Sequence, residues 1–127
     1  MNTESLTLRG MFKFEKLDVW QKAIDLADLV YSKTKSFPAD ERFGLTNQMR
    51  RAAVSISSNI AEGSARVSDA DLARFVKIAT GSLFVVSEST VGKRQGYLSE
   101  DGFAAIYKTA QQQGRMLSGL RRTLAGN

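Results

Sequence analysis

Apolar positions recur every three to four residues along most of this chain, and three interruptions divide the pattern into four segments. The first segment predicts a helix from Lys16 to Phe37. Leu17, Trp20, Ile24, Ala27 and Tyr31 share one face, while Val19, Ala23, Leu26 and Val30 widen the apolar arc to about half the circumference. Phe37-Pro38-Ala39-Asp40 ends it, because proline cannot continue a helix and restricts the residue before it. Asp40 is expected to cap the second helix, with Glu41 favourably placed near its positive end. That helix should run to Gly63 or Ala65, the glycine adopting a left-handed terminal conformation. Ser68 and Asp71 resemble a capping box that opens a third helix, whose core face is Leu72, Phe75, Val76, Ala79, Leu83 and Val86 and which stops at Gly96. Ser99, followed by Glu100 and Asp101, starts a fourth helix with Phe103, Ile106, Ala110, Gly114, Leu117 and Leu124 inward.

The second helix has two contrasting faces. Leu45, Met49, Ala52, Ala53, Ile56, Asn59, Ile60 and Gly63 form a core stripe. A buried Asn59 amide would there set helix register. On the opposite side Val54, Ser58, Ala61 and Ala65 form a stripe of small side chains, which predicts packing against another subunit. Arg50 and Arg51 are expected at the same contact, pairing with a carboxylate of the neighbour through their guanidinium forks, or facing a central channel.

Four helices of about 20 residues with short connections must fold back on one another. The fold class is therefore all-α, an antiparallel up-down-up-down four-helix bundle spanning residues 14–125. Residues 1–13 lack periodicity and are read as a flexible arm or an expression remnant.

Composition narrows the chemistry. Cysteine and histidine are both absent, which removes disulfides, Cys/His metal sites, thiol nucleophiles and histidine-based acid–base catalysis. No apolar run approaches the roughly 20 residues that span a bilayer, and no signal-peptide core is present, so the expected location is the cytoplasm, without a membrane partner. The net charge is +5, all of it from residues 49–127, where eleven basic side chains face six acidic ones. A basic half suggests an anionic partner, RNA or DNA being the commonest; solubility alone is the plainer alternative.

Three stretches carry a resemblance: FEKLDVWQKAIDLADLVY from Phe14 to Tyr31, QMRRAAVSISSNIAEG from Gln48 to Gly63, and IATGSLF from Ile78 to Phe84. Together they resemble the small bacterial 23S rRNA intervening-sequence protein family, over nearly everything from Phe14 to Leu124. The resemblance implies a four-helix bundle assembled as a ring-shaped homopentamer. A more distant relative, an accessory protein of diversity-generating retroelements, binds nucleic acid and a reverse transcriptase, so a larger nucleoprotein or reverse transcriptase is an implied partner. The chain departs from the family pattern at Val85, where an acidic residue is frequent, and at Thr80, where an arginine is frequent.

Lys108, Arg115 and Arg122 are seven apart on the fourth helix, away from its core stripe, and stand about 10 Å from each other along the axis. Such a row can follow a phosphate backbone without reading bases, and Arg66, in the turn after the second helix, could join either this row or the patch of Arg50 and Arg51. The plain alternative is a solvated outer face. Glu62 could serve as a general base only with a second polar partner that the spacing does not supply. Gly63-Ser64-Ala65 lacks the lysine and length of a phosphate-binding loop. The sequence thus predicts a non-enzymatic, cofactor-free homo-oligomer that binds RNA or DNA weakly as an accessory protein. The second reading is a protein-interaction scaffold for an acidic partner.

Overall fold

The computed structural model describes residues 13–126, and every regular element among them is helical. In chain order these are α1 (Asp18–Thr34), α2 (Leu45–Ser64), α3 (Asp69–Gly81), α4 (Val85–Arg94) and α5 (Glu100–Leu124). Short 3-10 turns at Lys13–Lys16 and Ala39–Glu41 precede α1 and α2. A third 3-10 turn, Ser82–Phe84, joins α3 to α4, and the residues at both joints keep right-handed helical dihedrals. The expected third helix is therefore one rod with an interruption, and the interruption falls at Gly81-Ser82. Glycine and serine are weak helix formers and a recurrent site of such breaks.

The four rods pack in sequence order, and the first and last also meet. Gln113 of α5 reaches Val19 at the start of α1, whereas Gly102 lies against Lys33 at its end. Gly63 lies against Leu72, while Leu45 at the other end of α2 approaches Gly92 of α4. Contacts of this kind fit antiparallel neighbours. The core is built from Val19, Leu26 and Val30 of α1, Met49, Ile56 and Ile60 of α2, Val76 and Val85 of the third rod, and Ile106 and Leu117 of α5. Val85 is fully buried, a position that favours an apolar side chain over an unpaired acid.

Three local expectations need correction. On α1 the inward face is Val19, Ala23, Leu26, Ala27 and Val30, with Trp20 half-buried and Tyr31 exposed at the rim. The wide apolar arc meets α2 and α5 together, so its centre turns inward and its edge, including Tyr31, remains at the surface. Asp40 makes no cap. Glu41 does so instead, its Oε1 accepting the Leu45 N–H at 3.1 Å, with α2 beginning four residues later than Asp40 would place it. Gly63 is not left-handed but sits inside the last turn of α2. A Cβ there would come within 2.8 Å of Phe75 Cβ and 2.9 Å of Leu72 Cδ1, so the glycine permits close approach of α3.

Other signals translate directly. Ser68 Oγ accepts the Asp71 N–H at 3.1 Å and Ser99 Oγ accepts the Gly102 N–H at 2.9 Å, each satisfying an orphan donor of a first turn. Gly96 carries a φ of +80° and closes the α4–α5 turn. There Lys93 pairs with Glu100 at 3.1 Å and its ammonium lies 4.7 Å from the Phe103 ring centroid. The arm expected over residues 1–13 lies outside the described residues, apart from Lys13.

Candidate interaction surfaces

The outward face of α2 carries Asn47, Arg51, Val54, Ser58, Glu62 and Ala65 exposed, with Ala61 half-buried beside them. Val54 is 39% exposed although it is a β-branched apolar residue in mid-helix. At the N-terminal end of this face stands Phe43, 86% exposed in the turn before α2. Burial of such a ring elsewhere is worth about 1.5–3 kcal/mol, so its exposure is a cost the isolated fold does not recover. Phe84 in the third rod and Tyr31 at the end of α1 are 54% and 42% exposed on either side.

Between α1 and α2 these residues enclose a groove of about 530 Å³, lined by Tyr31, Arg42, Phe43, Arg50, Arg51 and Val54 among others. No carboxylate lines it. Arg50 is held by its own chain: Nε donates to Thr34 Oγ1 at 3.0 Å, and the guanidinium lies 4.6 Å from the Tyr31 ring centroid. Thr34 Oγ1 in turn donates to the Val30 carbonyl at 2.8 Å. The arginine is thus placed over the negative end of α1, where a cation is favoured. One of its terminal nitrogens also stands 3.5 Å from the Tyr31 carbonyl. Arg42 and Arg51 are exposed and have no carboxylate partner among the described residues.

A second cleft of about 600 Å³ opens on the other side of Phe43, between α2 and the third rod, with Arg51, Ser55, Ser82, Phe84 and Glu88 among its lining. Ser82 Oγ donates to Ser55 Oγ at 2.9 Å, and Asn59 Nδ2 donates both to that hydroxyl at 3.0 Å and to the Ser55 carbonyl at 2.8 Å. Asn59 therefore braces its own helix rather than setting register across the core. Ser55 provides the link between rods. One carboxylate oxygen of Glu88 is buried without a hydrogen-bond partner, and burial pushes its carboxyl above the ordinary range.

On α5, Lys108, Arg115 and Arg122 are all exposed, and none pairs with an acid among the described residues. The acids of α5, Glu100 and Asp101, both lie in its first turn. Arg66 does not join this row as a free cation. It pairs with Glu62 one turn back and lies 5.1 Å from the Phe75 ring centroid, an arrangement that also occupies Glu62. Of the interface residues named from the sequence, Arg51, Val54, Ser58 and Ala65 face outward, Ala61 is partly covered, and Arg50 is half-buried and bonded to Thr34 of α1.

Gln113 was invisible to the sequence reading. It is fully buried on α5 and donates to the Val19 carbonyl at 3.0 Å. Its one signal was position, one turn after the Ile106/Ala110 stripe. The groove was missed too, because Phe43 lies in a turn where periodicity says nothing.

The described residues thus form a small all-helical bundle with two clefts beside α2 and a basic row on α5. The family model described as 23S rRNA-intervening sequence protein matches residues 15–119, and the chain belongs to that family. No curated protein matches it. No helix among the described residues is long and apolar enough to cross a membrane.

Proposed function

We propose that this protein is a non-enzymatic, cytoplasmic homo-oligomer, pentameric by its family likeness, that binds RNA or DNA weakly and without sequence preference as an accessory to a larger nucleoprotein. The observation that carries nucleic-acid binding is the row of Lys108, Arg115 and Arg122, exposed along α5 and unpaired among the described residues. Repetition of the row by symmetry multiplies the counterions released on binding. Retention of labelled RNA on the protein at two salt concentrations tests this. Binding should be present at about 50 mM salt and fall steeply by 200 mM; no retention at the lower concentration ends the reading.

Oligomerisation is supported by the outward face of α2, where short side chains and exposed Val54 adjoin Phe43. Ala61→Arg places a charge in that contact and should lower the mass measured by light scattering. An unchanged mass moves the contact elsewhere. The exposed Phe43 and Phe84 also favour the second reading, a scaffold for an acidic protein partner. Capture of one stoichiometric protein that survives nuclease treatment supports it.

A further inference from the structure

Most exposed acids of this chain have a local reason for their position. Asp40 belongs to the turn before α2, Asp69 and Asp71 to the first turn of α3, and Glu100 and Asp101 to that of α5, where negative charge is favoured. Glu62 is paired with Arg66. Asp25 and Asp28 are different. They lie in the middle of α1, both exposed, and no ion pair among the described residues engages either.

One helix further round the bundle is the opposite imbalance. The groove beside α2 presents Arg42 and Arg51 without a carboxylate, and next to them apolar surface at Phe43 and Val54. The α5 row is also basic, but its aromatic neighbour Tyr107, 48% exposed beside Lys108, carries a hydroxyl that bonds water, whereas Phe43, 86% exposed in the groove, carries none. The groove therefore suits a partner that brings both carboxylates and surface to cover a ring. The α5 row suits a polyanion.

We infer that the groove between α1 and α2 receives the outer face of α1 from a second copy of this chain, Asp25 and Asp28 of one copy meeting Arg42 and Arg51 of the next. The two surfaces are different, so the contact is head-to-tail, and repetition of one such step closes a ring when the rotation permits. Arginine forks and carboxylates fix the register, while Phe43 and Val54 supply the apolar burial. Arg50, already stacked on Tyr31, stiffens the floor of the groove rather than pairing across it. This rests on the homo-oligomeric reading above and names its two faces.

The test is light scattering on the full chain, with circular dichroism to confirm folding. Wild type should be oligomeric. Arg42→Glu with Arg51→Glu, and separately Asp25→Arg with Asp28→Arg, should each reduce the mass to that of a monomer. All four changes in one chain should restore the wild-type mass, which no loss of folding could do. If a reversal variant misfolds, the neutral pairs R42Q with R51Q and D25N with D28N replace it and should raise the dissociation constant at least tenfold. A monomeric wild type overturns the homo-oligomeric reading itself. An oligomeric wild type with unaffected variants, or a four-fold variant that stays monomeric, overturns only this pairing. So does retention of mass by the arginine variant with loss of RNA retention, which would assign the groove to nucleic acid.

Discussion

The outward faces of α2 and α5 are both exposed, and they are built from opposite materials. On α5, water meets Lys108, Gln111, Arg115, Ser118, Arg121 and Arg122, side chains that are well hydrated where they stand, with Tyr107 the one exposed ring among them and its hydroxyl open to water. On α2 it meets Val54, Ser58 and Ala65 set between the polar Asn47, Arg51 and Glu62, and framed by Phe43, Phe84 and Tyr31. The difference teaches that exposure alone does not mark a surface as idle. A face of long charged side chains is complete in water and gains from a polyanion chiefly by counterion release. A face of short side chains edged by exposed rings leaves apolar surface in water, and covering that surface is what the proposed subunit contact would gain.

That contrast holds only if the α2 outer face contributes little to the fold of one chain. Ile60→Ala, on the fully buried inner face, should cost about 2–5 kcal/mol in denaturant unfolding. Ser58→Ala, outward and two residues earlier, should stay within about 0.5 kcal/mol when measured on the monomeric Arg42→Glu, Arg51→Glu background. Comparable losses at the two positions would break the comparison. A smaller effect separates contact from propensity. Gly63→Ala should destabilise by about 1–2 kcal/mol, because overpacking against Phe75 and Leu72 exceeds the gain in helix propensity. Gly81→Ala meets no atom within 4 Å and should stabilise by about 0.5–1 kcal/mol. On α5, replacing Lys108, Arg115 and Arg122 together by alanine should flatten the dependence of log affinity for single-stranded RNA on log salt by about 2 units. The same variant should leave the oligomer mass unchanged; a change in mass would join the two faces into one.

The legibility of these features in the sequence follows the range of the forces behind them. Ser68 and Ser99 were readable because a cap involves residues three apart. Ile56, Ile60, Ile106 and Leu117 were readable because helical period alone brings them to one side. Membership of the family was also legible, in the stretches from Phe14, Gln48 and Ile78. What failed depends on how the rods lean on one another. The wide apolar arc of α1 left its true inward line undecided among neighbours 100° apart, and Tyr31 came out at the surface. Gly63 offered two roles, a left-handed end or a close approach, and only the position of Phe75 chooses. Arg50 reaches Thr34 across 16 residues of chain, a contact no spacing rule contains. The charge row on α5 was visible in full, whereas the groove needed a turn residue, Phe43, to be placed beside two helices.

The smallest expected effect sits on the α2 side of the comparison, at Glu88. Its carboxyl is pushed above the ordinary value of 4.5 by burial at the edge of the second cleft, and one oxygen lacks a hydrogen-bond partner. The folded chain therefore holds this proton to higher pH than the unfolded chain does. Stability from this group is fully present below the unfolded pKa and is lost as pH rises through the folded one. At pH 7 the charged carboxylate is a net cost, which a neutral glutamine of the same shape avoids. Glu88→Gln should thus raise Tm at pH 7 slightly, the side chain being only half-buried and still screened by water. The gap should close as pH falls below about 4.5, where wild type is neutral as well. No comparable pair of curves is expected for Gln111→Glu on α5, whose side chain is exposed and hydrated in either charge state. A wild type more stable than Glu88→Gln at pH 7 would mean that the carboxylate meets a cation in the assembled protein, Arg51 across the same cleft being the first to replace in a double-mutant cycle.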